Sequence, residues 1–134
     1  MGKTRARAPQ ATLTLDAGAL IALGRGDGRM IALLQRLVAR GGRFHVPAGA
    51  AARAWRDGSR QALLARFLRS DHVEVTPLDA ELARACGELC AVTRTTDIID
   101  ASVVLTARQH GDTILTSDVD DLRRLDPSSR IERI

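Results

Sequence analysis

Asp16, Asp97, Asp100, Asp118 and Asp121 are the residues through which this sequence could do chemistry. Asp97 and Asp100 are three apart and fall on one side of the first turn of a helix. From Ile98 to Ala107 that helix is almost entirely apolar or small, which leaves little room for a polar face. A carboxylate placed in such a helix is costly unless it protonates or meets a cation. Asp97 has a second role open to it as the N-cap of this helix, compatible with a ligand role; capping does not account for Asp100. Asp118 stands just past the run Thr113-Ile114-Leu115-Thr116, and Asp16 just past Thr12-Leu13-Thr14-Leu15. Both runs read as short strands. Carboxylates that converge from strand ends and a helix start repel one another unless a cation joins them. Oxygen donors without a nearby histidine favour Mg²⁺ or Mn²⁺ over zinc.

The elements that must position these acids follow from hydrophobic periodicity and its punctuation. After the first strand, Ala17 to Leu23 forms a short apolar helix broken at Gly24 and Gly26. Asp27 can cap a helix in which Met30, Ile31, Leu33, Leu34, Leu37 and Val38 recur at helical spacing, and which Gly41-Gly42 ends. Arg43 to Val46 is a second strand, and Pro47 suits the first turn of a helix AGAAARAWR that Gly58 closes. Ser59 is expected to cap the next helix, with Leu63, Leu64, Phe67 and Leu68 facing inward. Val73 to Val75 is a third strand, and Asp79 opens a helix that runs to about Val92. The apolar helix, the strand to Thr116, a helix from Val119 to Leu125 and an edge strand Arg130 to Ile134 complete the chain. Strands alternating with helices predict an α/β fold: a three-layer α/β/α sandwich around a central, mostly parallel sheet of four to five strands. Right-handed crossovers then put the C-terminal strand ends, with Asp16 and Asp118, on the one edge where open α/β sheets bind ligands.

The chain has 134 residues and 45% apolar content, enough for one domain with a real core. Residues 1–10 are expected to be a disordered basic tail and 11–134 a single domain. No run approaches the ~20 apolar residues of a membrane span, and the first ten residues lack the apolar stretch of a signal peptide. With only two cysteines as well, a cytoplasmic setting is expected. The net charge of +4 conceals an asymmetry. Residues 25–69 hold ten arginines against Asp27 and Asp57, whereas residues 70–134 hold seven arginines against thirteen acids. A basic half joined to an acidic half suits a polyanion on one and a cation on the other, although arginines also simply solvate helix faces.

The segments LDAGALIAL, VPAGAAARAWR, DIIDASVVLTA and ILTSDVDDL, in this order and spacing over residues 13 to 122, resemble a PIN-domain ribonuclease, in particular the VapC-type toxins of bacterial type II toxin–antitoxin pairs. The resemblance implies metal-dependent endonucleolytic cleavage of RNA, restrained by a cognate antitoxin. It implies Asp16, Asp100 and Asp118 as catalytic, metal-binding acids, with Asp97 and Asp121 as supporting ligands and Thr116 orienting the last acid. Arg25, Arg53 and Arg56 are candidates for contact with RNA. A homodimer that binds an antitoxin more tightly, without membrane association, is the expected assembly. The chain departs from the family at one position: the glutamate usual in the helix after strand two is Arg53 here, with Asp57 one turn later. A degenerate scaffold that binds RNA or antitoxin without efficient cleavage, and a PIN nuclease of RNA processing, are the alternatives.

Other residues point elsewhere. Cys86 and Cys90 are four apart on a helix but lack a second ligand pair, and His45, His72 and His110 are scattered, so core packing suits the cysteines better than zinc. Trp55 suits the core, a partner interface or a stacked base. Gly24-Arg25-Gly26 lacks the rest of a phosphate-cradling loop. A response-regulator receiver is set aside because Lys3 is the only lysine.

Overall fold

The computed structural model describes residues 11–134; the predicted tail 1–10 lies outside them. Five strands form one sheet in the order β3-β2-β1-β4-β5: β1 (Thr12–Leu15), β2 (Arg43–Pro47), β3 (Val73–Thr76), β4 (Thr113–Thr116) and β5 (Ile131–Arg133). Every pairing is parallel, so the sheet is uniform rather than mixed. Parallel strands need crossovers, and seven helices supply them. These are α1 (Ala17–Gly24), α2 (Gly28–Ala39), α3 (Ala48–Ala54), α4 (Ala62–Leu68), α5 (Ala80–Thr93), α6 (Ile98–His110) and α7 (Val119–Leu125).

The pleat divides each central strand between two helix layers. Leu13, Leu15, Phe44 and Val46 are buried, and Phe44 meets Phe67 of α4 edge-on at 5.3 Å. Thr14 and His45, the alternate residues, both bond Asp112 in the loop after α6, and His45 stacks on His110 at the end of that helix. The strand order reverses between β1 and β4, and this switch point is where Asp16 and Asp118 leave the sheet.

α6 is buried along most of its length, as its composition predicts: Ala101, Ser102, Val103, Val104, Thr106 and Ala107 are all inside. Its one buried serine is satisfied locally, with Ser102 Oγ donating to the Ile99 carbonyl at 2.6 Å. Cys86 and Cys90 are buried free thiols, the packing role expected of them.

The segment after β2 differs from expectation. α3 stops at Ala54, because the Trp55 backbone turns extended (ψ 130°), well before Gly58. Ser59 caps nothing. Its N–H and hydroxyl are both taken by Asp57 Oδ1, at 3.0 and 2.7 Å, and α4 begins only after Gln61. An Asp two residues before a Ser makes this local turn a stronger competitor than a cap. Within this segment Ala50 and Ala54 are buried, and the Ala52, Arg53, Trp55 and Arg56 side is open.

Candidate active site

Each acid is placed by backbone geometry rather than by its own pairing. Asp16 caps α1, with Oδ1 accepting from the Ala19 N–H at 3.0 Å, and Oδ2 accepting from the Thr116 hydroxyl across the β1–β4 junction. The same Thr116 oxygen accepts from the Asp118 N–H at 2.8 Å. One buried hydroxyl thus ties two strand-end acids together. α1 approaches the β4 terminus closely at Gly18: a Cβ there would sit 2.8 Å from Ser117 Oγ and 3.4 Å from Asp16 Oδ1.

Asp97 caps α6, accepting from the Asp100 N–H at 2.9 Å. The turn that delivers it leaves α5 through Arg94, which adopts the left-handed region (φ 58°). Asp97, Asp100 and Asp121 line one cavity of about 300 Å³, with Arg94 and Arg124 on its rim. Asp97 therefore caps α6 while lining the cavity it shares with Asp100 and Asp121.

The electrostatics show which acids feel one another. Burial pushes the Asp100 carboxyl up to about 7, helped by Asp97, opposed by Arg53, and helped again by Asp118 and Asp16. Burial also raises Asp16, against the pull of its hydrogen bonds from Thr116 and Ala19. Asp118 is raised by burial, by Asp121 and by Asp16, although much of the residue is open to solvent. Asp97 moves the other way: burial would raise it, but the Asp100 N–H and the Arg53 guanidinium hold it low. Four carboxyls thus share one field. They do not, however, meet at a point. Among the described residues the acids form no group of three with ligand atoms all within 4.8 Å; His45, His110 and Asp112 do.

The three arginine candidates part company. Arg53 reaches into the acids, its guanidinium 3.3 Å from both oxygens of Asp97. Arg56, two residues past the end of α3, instead donates to the carbonyls of Ala52 and Trp55. Arg25 lines a cavity of about 880 Å³, with Arg29, Arg36 and Arg133 over Ile21 and Met30; this groove meets the acid edge at Gly18 and Ser117. Asp57 does not stand in for the missing glutamate. It is fully exposed, and its carboxylate is held low by the Ser59 hydroxyl and N–H.

A parallel α/β sheet with acids clustered at its switch point is matched by the family model of the PIN domain over residues 13–127. The chain belongs to the PIN domain family. Three solved structures share its fold. The VapBC2 complex from Rickettsia felis bound to a promoter DNA fragment aligns with TM-score 0.66 at 16% identity, covering 91% of this chain and 98% of that one. FitAB bound to an IR36 DNA fragment aligns with TM-score 0.61 at 17% identity over 90% of this chain and 94% of that one. FitAcB from Neisseria gonorrhoeae gives 0.60 and 17% over 89% and 95%. No curated protein matches the chain.

This PIN domain also contains polar residues that the sequence spacing did not single out. His45 and His110, 65 positions apart, stack with ring centroids 3.7 Å apart. Asp112 is buried, accepts from Thr14 Oγ1 and bonds His45 Nδ1. The available signal was that His45 alternates with Phe44 and Val46, which aims it at the other helix layer.

Proposed function

We propose that this PIN domain is a divalent-metal-dependent endoribonuclease, the VapC-type toxin of a toxin–antitoxin pair. The observation that carries the proposal is the shared field of Asp16, Asp97, Asp100 and Asp118 at the sheet's switch point, with Asp100 driven up to about 7. Carboxylates that raise one another stand ready for a counter-cation. The donor set is oxygen only, which fits Mg²⁺ or Mn²⁺. When bound, the ion polarises the scissile phosphate and lowers the pKa of a water.

The chain's own residues do the rest. Asp16, Asp100 and Asp118 hold the ion, Asp97 and Asp121 extend the acid wall, and Thr116 keeps Asp16 and Asp118 in register. Arg25, in the basic groove that joins the acid edge, binds the RNA backbone. Arg53 stands close enough to the acids to meet a phosphate delivered there, a task its planar fork suits. Arg56 is occupied by helix-end carbonyls and contributes charge only. Among the described residues no helix is long and apolar enough to cross a membrane, in keeping with a cytoplasmic toxin. The proteins of like fold are known as complexes, VapBC2 and FitAB among them, and a cognate antitoxin is the partner proposed here. Exposed Trp55, Leu78 and Val92 offer apolar area for a homodimer or for that antitoxin.

A second reading has its own support. The Arg53–Asp97 pair already neutralises one acid, so this copy could bind RNA or antitoxin without efficient cleavage. Total bacterial RNA incubated with the chain, with Mg²⁺ or Mn²⁺ and with EDTA, separates the two. Cleavage with metal, abolished by EDTA and by Asp118→Asn, is the expected result. RNA binding without cleavage in either metal refutes the nuclease and leaves the scaffold.

A further inference from the structure

At the opposite end of α6 from Asp97 and Asp100, about 20 Å along a 13-residue helix, a second polar cluster lies against the sheet. His45 is flanked in register by Thr14 on β1 and Glu74 on β3, so the three side chains share a face. His110, at the end of α6, stacks on His45 with an angle of 14° between the rings. Hydrogen bonds assign each ring's proton. His45 Nδ1 faces Asp112 Oδ2 at 2.6 Å, and that carboxylate is also anchored by Thr14 Oγ1 at 2.8 Å. His110 Nδ1 faces the Thr106 carbonyl at 2.9 Å, an oxygen that can only accept. Both protons therefore sit on Nδ1, and both Nε2 atoms keep a lone pair.

Carboxylates stand close by. Glu74 Oε1 is 3.9 Å from His45 Nε2, and ligand atoms of His45, His110 and Asp112 all fall within 4.8 Å of one another. A separate observation points the same way. Thr76 is 8% exposed, its hydroxyl has no hydrogen-bond partner, and it lines a cavity of about 350 Å³ together with Glu74 and His110. A buried hydroxyl without a partner is unusual in a finished core.

We propose that this corner is a metal site distinct from the acid crevice, binding one borderline transition ion such as Zn²⁺ or Co²⁺. His45 Nε2, His110 Nε2 and the Glu74 carboxylate are its ligands, and water completes the shell. Imidazole nitrogen selects such an ion over Mg²⁺. Asp112 is a positioning group that holds the far nitrogen of the His45 ring, an arrangement typical of histidine metal sites. Parallel rings aim their lone pairs side by side, so sharing one ion with His45 requires the exposed His110 ring to turn out of the stack. The ion then fastens α6 to β2 and β3, and its binding raises the melting temperature.

The test uses the untagged full chain carrying Asp100→Asn and Asp118→Asn, which disables the acid crevice, titrated with Co²⁺ and followed by calorimetry and visible absorption. One Co²⁺ per chain, a d–d band and a raised Tm are expected. Adding His110→Ala, at an exposed position, is expected to weaken binding at least tenfold and remove the band, with the fold checked by melting in EDTA. Adding Glu74→Gln instead, also at an exposed position, gives a smaller loss and decides the matter if the alanine variant does not fold. No Co²⁺ binding to the parent double variant, or equal affinity after His110→Ala or, where that does not fold, after Glu74→Gln, overturns the site.

Discussion

Removing the charge of Asp100 should stabilise this protein, and the gain should depend on pH. Burial and the neighbouring acids move its carboxyl from 3.8 to about 7 in the fold. Fully shielded, such a move would separate the two protonation states by about 4 kcal/mol; the half-open crevice screens this to about 1–2 kcal/mol. The folded pKa lies above the unfolded one, so the folded state holds the extra proton between the two. Stability therefore falls as pH rises from about 4 to about 7 and levels off beyond. Asp100→Asn keeps the N–H that Asp97 caps and removes the cost of ionisation. At about pH 8 with EDTA present, the variant should be more stable by about 1–2 kcal/mol, a Tm rise of about 3–8 °C. At about pH 4 the two proteins should melt together. Calorimetry at both pH values decides it. A destabilised variant at high pH, or a difference that does not change with pH, would refute a buried, mutually repelling carboxyl and leave Asp100 with a structural role.

Two further outcomes rest on single hydrogen-bonded groups. Thr116→Val deletes the buried hydroxyl that donates to Asp16 and accepts from the Asp118 N–H, so urea unfolding should show a loss of about 1–3 kcal/mol, largely recovered in Thr116→Ser. Asp126, against a burial that would raise it, is held at about 2 by Ser128 and by Arg108 at 3.0 Å. A depressed carboxyl stabilises the fold above its unfolded pKa and loses that contribution as pH falls toward about 2. Arg108→Ala should therefore cost up to about 1 kcal/mol at neutral pH and almost nothing at about pH 2; equal losses at both would show that its role is packing alone.

The sequence reveals most where local pattern and global fold agree. The strands at Thr12–Leu15 and Thr113–Thr116 and the caps at Asp27, Asp79 and Asp97 sit where periodicity and cap chemistry place them. The all-parallel order follows from helices between strands. Around Ser59 the local signal misled, because Asp57 two residues earlier captures the same hydroxyl and N–H that a cap would use. The His45–His110–Asp112 cluster was illegible for a different reason. Its members are joined by β2–β1–β4 register and by the length of α6, and no spacing along the chain encodes that meeting.

Arg53 is the residue on which the character of the acid crevice turns. Had a carboxylate stood there, it would have joined Asp97 and Asp100 and pushed each further toward protonation. The guanidinium does the reverse: it holds Asp97 low and partly offsets the burial of Asp100. Its pairing is loose, at 3.3 Å to each oxygen and with both side chains about two-fifths exposed, so it costs little to open. A polyanion arriving along the arginine-lined groove would compete for that guanidinium at close range. A phosphate that draws Arg53 away from Asp97 leaves that carboxylate free to face a cation. A negative substrate and a positive ion would therefore favour each other's binding in this crevice, a coupling that is reciprocal by linkage.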